Sequence, residues 1–229
     1  KFLLNLDAKT EQPGVWISGF YGSGKSHLAK MLRTLWTDYP FADGATARSI
    51  AKLPTGVFEH LKELSIQGRR HGGLHAAAGK LGSGAGDKIR LALLGIVFKS
   101  KGLPESFNQA QFALWLRNEG LIDSVRQELA EAGKTLEKEL LHLYAGQLPR
   151  VLLKLKPTLG DSETEVRALL RAQFPQVADI SSEQMTTAID AALAQDGKFP
   201  LTLVVLDEVQ QYIGADAEKA FQVQEVTET

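Results

Sequence analysis

The chain has 229 residues, of which 44% are hydrophobic and 23% charged, with a net charge of −1: enough for one large globular domain, or one domain carrying an inserted module. It contains no cysteine, which excludes disulfides, zinc–thiolate sites and cysteine nucleophiles and suits a reducing compartment. The near-zero charge gives no global basic field for nucleic acid or membrane, and no apolar run approaches the roughly 20 residues of a spanning helix.

The start at Lys1 and the ending in Thr-Glu-Thr read as cuts in a longer protein. Residues 1–13 form an apolar-then-polar lead-in that ends at the turn signal Pro13-Gly14. Val15-Trp16-Ile17-Ser18 is a short apolar, β-prone run and predicts a buried strand. A glycine-rich stretch follows, and then Leu28, Leu32, Leu35 and Trp36 recur at helical spacing until Asp38-Tyr39-Pro40 stops them. Residues 46–67 read as helix interrupted at Pro54 and Gly56. Residues 74–81 read as a small-residue strand, and Gly82 to Gly86 as a loop.

From 86 to about 195 the chain reads almost wholly as helices. Ile89, Ala92, Leu93, Ile96 and Val97 form one apolar face; Phe112, Trp115 and Leu116 form a second, and Leu136, Leu140 and Tyr144 a third. Ser162-x-x-Glu165 and Ser181-x-x-Gln184 predict capping boxes, and Pro149, Pro157 and Pro175 separate the pieces. Leu201 to Leu206 is a continuous apolar, β-branched run, the pattern of a strand buried on both faces of a parallel sheet. It ends in Asp207-Glu208; the residues that follow read as helix or polar tail, with 221–229 polar, acidic and open to disorder.

Gly19-Phe20-Tyr21-Gly22-Ser23-Gly24-Lys25-Ser26 fits G-x-x-x-x-G-K-[ST] without mismatch. In that motif the glycines let the backbone turn N–H groups toward phosphate oxygens, and the following helix adds its positive end. The predicted nucleotide contacts are Gly19, Tyr21, Gly22, Ser23, Gly24, Lys25, Ser26 and the backbone of His27. Lys25 supplies a mobile charge to the β- and γ-phosphates, and the Ser26 hydroxyl is a ligand for Mg²⁺. Asp207 at the carboxyl end of its strand is the second predicted Mg²⁺ residue, acting through a water. Glu208 is the predicted general base, orienting the attacking water. Together these read as an ATPase; no Asn/Thr-Lys-x-Asp motif points to guanine.

Other features read more plainly. Arg69-Arg70-His71 reads as a solvated basic loop, and Arg150, Lys154 and Lys156 as a helix edge rather than a nucleic-acid surface. The five histidines lack metal-ligand spacing. Gln210, Gln211 and Tyr212 are either γ-phosphate sensors or ordinary helix polarity.

The segment Trp16 to Leu28 resembles the P-loop of the large ATPases of bacterial BREX phage-defence systems, the BrxC/PglY family. Val205-Leu206-Asp207-Glu208-Val209-Gln210-Gln211-Tyr212-Ile213-Gly214 is similar to that family's second motif. The resemblance implies an α/β P-loop NTPase of the AAA+/ASCE type, with a parallel sheet that is incomplete here. On that layout residues 1–81 and 196–229 form the partial core, and 82–195 a large helical insertion between the second strand and the Asp-Glu strand. The central strand then lies outside this chain, or the P-loop and Asp-Glu strands pair directly. It further implies a Mg²⁺-dependent ATPase of the bacterial cytoplasm, homo-oligomeric at full length. Its partners would be other BREX proteins and DNA, with no membrane, and the isolated piece would be inactive if the site lies between subunits. The alternative reading is a nucleotide-gated scaffold with little turnover; a small-molecule kinase is a third, without an acceptor-pocket signature.

Overall fold

The computed structural model describes residues 2–8, 14–20, 22–81 and 88–228. They form α1 (Phe2–Ala8), α2 (Lys25–Thr37), α3 (Ala47–Ile50), α4 (Thr55–Arg70), β1 (Leu74–Lys80), α5 (Ile89–Ser100), α6 (Phe107–Asn118), α7 (Ile122–Glu131), α8 (Leu136–Leu140), α9 (Leu148–Leu155), a 3₁₀ turn at Pro157–Leu159, α10 (Glu163–Gln173), α11 (Ser182–Leu193), β2 (Leu201–Asp207), α12 (Val209–Ile213) and α13 (Ala217–Glu228). The protein is a mostly helical α/β chain, and among the described residues its sheet has two parallel strands. It divides into two compact units, residues 1–89 with 193–229, and residues 90–192.

The first unit is organised by the sheet. β1 and β2 pair from Leu74↔Leu201 to Lys80↔Asp207, across more than 120 residues of intervening chain. Alanine favours helix intrinsically, yet His75 to Gly79 is strand because its small side chains let α2 lie close over both strands. Ala77 is fully buried there. α4 packs on β1, and Gly68 permits the approach, since a Cβ at that position would fall 2.7 Å from Leu74 Cδ2. The Trp36 indole N–H donates to the Leu201 carbonyl at 3.0 Å, tying the last turn of α2 to the first residue of β2.

Four sequence expectations need correction in this unit. Val15 to Ser18 is extended but joins no ladder among the described residues, and Val15, Trp16 and Ile17 are 80%, 61% and 44% exposed. A run of that kind becomes a strand only when a neighbour supplies its hydrogen bonds, and the described sheet supplies none. Among the described residues the expected P-loop strand is therefore absent from the sheet, and β2 pairs with β1. Second, β2 is not buried on both faces: only Leu201 is fully covered and Val204 is 42% exposed, because two strands cannot shield each other as a wider sheet would. Third, Gly56 does not interrupt a helix; Pro54 precedes α4, where its missing N–H costs nothing, and the helix runs through Gly56. Fourth, residues 217–228 are helix rather than disordered tail, held by Val223 and Val226, which are buried.

Arg48 is the polar anchor of this unit. It is buried, and its guanidinium donates to the carbonyls of Leu35, Trp36 and Leu61, each at 2.7 Å, and to Ser65 Oγ at 2.6 Å. Its own N–H donates to Asp38 Oδ1 at 3.0 Å. Burial pulls the guanidinium below the ordinary arginine value, and the Asp38 charge opposes that. One side chain thus links α2, α3 and α4.

The second unit is an all-helical assembly. α5 is apolar on every side and buries Leu93, Leu94, Val97 and Phe98. α9 packs on α7 and α10, burying Leu148, Leu152, Leu129 and Leu170. Phe112, Trp115 and Phe174 form an aromatic cluster, and Tyr144 donates its hydroxyl to the Phe174 carbonyl while accepting from Asn108 Nδ2 at 2.9 Å. The Ser181 capping box is complete, with Gln184 N–H to Ser181 Oγ at 3.1 Å and Ser181 N–H to Gln184 Oε1 at 2.9 Å. At Ser162 only half forms: the hydroxyl accepts from Glu165 N–H, but the Glu165 carboxylate turns to Asp161 N–H. The predicted Gly82 to Gly86 loop lies outside the described residues. Among the described residues no helix is long and apolar enough to cross a membrane.

Candidate functional site

Gly22 and Gly24 hold φ of +80° and +87°, conformations that side chains rarely adopt, and Gly24 is the N-cap of α2. The loop therefore enters the helix directly, with Lys25 and Ser26 in its first turn. Gly19 answers a close approach: a Cβ there would sit 2.8 Å from Ser23 Oγ. Ser23 N–H donates to the Phe20 carbonyl at 3.2 Å, which closes the turn. Ser26 and His27 are exposed, and Phe20 is 91% exposed. Tyr21 lies outside the described residues.

The loop is closed on its own lysine. Lys25 Nζ donates to the carbonyls of Gly19 at 2.7 Å and Phe20 at 2.8 Å, and reaches Ser23 Oγ at 3.4 Å. An ammonium with three protein acceptors is satisfied. An incoming anion has to draw it away from these oxygens.

The second half of the site sits at the carboxyl end of β2. Glu208 N–H donates to Asp207 Oδ1 at 2.9 Å, and the Asp207 carbonyl accepts from Leu81 N–H at 2.8 Å. Glu208 itself is left-handed, with φ 60° and ψ 23°, at the start of α12. That region costs a non-glycine residue of order 1–3 kcal/mol and, where it occurs, often marks a functional turn.

The Glu208 carboxylate is engaged. Lys80 Nζ lies 2.6 Å from its Oε1. Lys80 ends β1 directly across from Asp207 in the register. The Glu208 hydrogen bond and charge raise the lysine above its ordinary value, desolvation opposes them, and the Asp207 charge adds least. The lysine therefore stays charged through neutral pH, and the link is lost only as pH rises past the ordinary lysine range. Sequence reasoning missed Lys80, because nothing local distinguishes a lysine at a strand end; the 128-residue pairing does.

The two halves are related through α2. Its last turn is tied to the first residue of β2, and the helix lies along both strands. Among the described residues no side-chain hydrogen bond or ion pair joins the two halves, nor do three His, Asp or Glu cluster as a metal cage. Several of the secondary candidates make contacts within the protein. Tyr212 is buried and donates to Gln222 Oε1 at 3.3 Å, and Gln210 Nε2 donates to the Gly214 carbonyl at 3.3 Å. Arg150, Lys154 and Lys156 are ion-paired with Glu163, Glu128 and Glu119. Comparison with protein-family models, with curated proteins and with solved structures gives no match.

Proposed function

We propose that the chain is an AAA+/ASCE-like P-loop ATPase module that binds ATP with Mg²⁺ at Gly19–Ser26 and hydrolyses it through Asp207 and Glu208. The observation that carries this reading is the junction at Gly24. Two left-handed glycines deliver an ammonium and a hydroxyl into the first turn of a 13-residue helix, where the free backbone N–H groups and the helix dipole favour an anion. The parallel strand ending in two carboxylates supports it from the second side.

Ser26 and Asp207 would hold a magnesium ion, Ser26 by its hydroxyl and Asp207 through a water. The Ser26 hydroxyl is exposed, and Asp207 commits one oxygen to the neighbouring N–H. Such an ion would neutralise charge on the nucleotide phosphates. Lys25 exchanges the Gly19 and Phe20 carbonyls for phosphate oxygens. Glu208 accepts a hydrogen bond from the attacking water and takes its proton as the water oxygen bonds to the γ-phosphorus and ADP leaves with the β-phosphate oxygen. The resemblance to the BREX ATPases extends the proposal: the module works in bacterial cytoplasm with other BREX components on or near DNA, as an oligomer.

The test is binding of a fluorescent ATP analogue with Mg²⁺, followed by steady-state phosphate release. Lys25→Ala weakens binding at least about tenfold, while Glu208→Gln keeps binding and lowers turnover roughly 10²- to 10⁴-fold. Unchanged binding in Lys25→Ala rejects the reading. A scaffold with little turnover is favoured by one observation, that both Lys25 and Glu208 are engaged by protein partners. Full phage protection by Glu208→Gln would select it.

A further inference from the structure

We infer that the cavity between α3 and α4 is a binding site for a small phosphate monoester with an apolar or aromatic body. The cavity lies at the opposite end of α2 from the glycine-rich loop, and the inference stands whichever way that loop is read.

The cavity measures about 510 Å³, a volume that suits a small organic ligand, and is lined from the C-cap of α2, from α3 and from one face of α4. α2 has 13 residues, so about 20 Å of helix separates Lys25 from this end. On α4, Lys62, Ser65 and Arg69 recur at i, i+3 and i+7, which sets a hydroxyl between two cations on one face. Phe58 and Ile66 line the same cavity and give it an apolar wall.

The polar groups of the lining have donors to spare. Arg69 is exposed and makes no ion pair or hydrogen bond among the described residues. Lys62 lies over the Phe58 ring at 4.7 Å and pairs with Glu59 at 3.1 Å, but the two side chains are 56% and 59% exposed. A pair so solvated is weak, and its ammonium is open to exchange for a stronger anion. Ser65 Oγ accepts from Arg48 Nη1 at 2.6 Å, which leaves its own O–H to donate and polarises it. Arg48 is buried and spends four of its N–H donors on protein oxygens; the second N–H of Nη2 has no protein acceptor among the described residues. Thr46 and Ser49 are taken up by the cap of α3. Of the lining residues only Asp38 is acidic, and its Oδ1 already accepts from Arg48 N–H.

This surplus of donors selects the ligand. A carboxylate brings one charge and two oxygens, whereas a phosphate monoester brings close to two charges and three acceptor oxygens. The second matches two cations with a hydroxyl between them. The ester's organic body then lies on Phe58 and Ile66, which a bare phosphate leaves uncovered.

The probe is phenyl phosphate, titrated calorimetrically into the purified full chain carrying Lys25→Ala, so that the glycine-rich loop does not compete for it. Phenyl phosphate is expected to bind. Arg69→Gln and Lys62→Gln each weaken it about two- to fivefold, the scale of one exposed charge contact. Both keep the parent's melting temperature, since both side chains are exposed. Inorganic phosphate binds more weakly for want of the apolar body, and benzoate for want of the second charge. Absence of binding, or binding unchanged in both Arg69→Gln and Lys62→Gln, overturns the inference. Benzoate or inorganic phosphate binding as tightly as the ester overturns it as well.

Discussion

Replacing Arg48 by methionine is the sharpest test of how α2 is held. The methionine keeps most of the apolar stem but deletes four donated hydrogen bonds, to Leu35, Trp36, Leu61 and Ser65, all between 2.6 and 2.7 Å. Hydrogen bonds from a charged donor each contribute about 1.5–3 kcal/mol, but they share one desolvation cost and do not add fully. Removing a buried charge also returns part of that cost. The net loss is therefore about 3 kcal/mol, which for a chain of this size lowers the melting midpoint by about 6–12 °C in scanning calorimetry. Arg48→Lys recovers less than half of the loss. A single ammonium cannot reach the α2 carbonyls on one side and the α4 acceptors on the other, as the planar fork does. A Met variant melting within about 2 °C of the wild type would refute the claim that this side chain joins the three helices.

Lys25→Ala is expected to change the melting temperature by less than about 1 °C in the absence of nucleotide, because its three partners belong to an exposed loop; a larger fall would show that the lysine holds the fold and not a ligand. Tyr144→Phe removes both the bond to the Phe174 carbonyl and the acceptor for Asn108, and lowers stability by about 1–3 kcal/mol in urea unfolding with an unchanged slope. Ser181→Ala opens the complete capping box of α11 and costs about 1 kcal/mol, whereas Ser162→Ala costs less, since Glu165 there never closes the box; equal losses would contradict the asymmetry.

Much of the site was legible from local chemistry. The glycines before Lys25 and Ser26 announced a turn that enters a helix, and Gly22 and Gly24 are left-handed just before α2 begins. The caps at Ser162 and Ser181 announced α10 and α11, because a cap is satisfied within four residues of itself. The run Leu201–Leu206 announced β2. The same kind of argument failed at Val15–Ser18, which has strand-like side chains but no described partner strand.

By itself, then, the sequence determined what is short-ranged: where the loop turns, where helices begin, and that two carboxylates follow a β-prone run. Tertiary structure alone decided the pairing of β1 with β2, the exposure of Val204, the linking of three helices by Arg48 and the meeting of Lys80 with Glu208. Each of these depends on which residues, tens to more than a hundred positions apart, come into register. Propensity and spacing act over a few residues, so they cannot say which distant strand or charge will supply the missing partner.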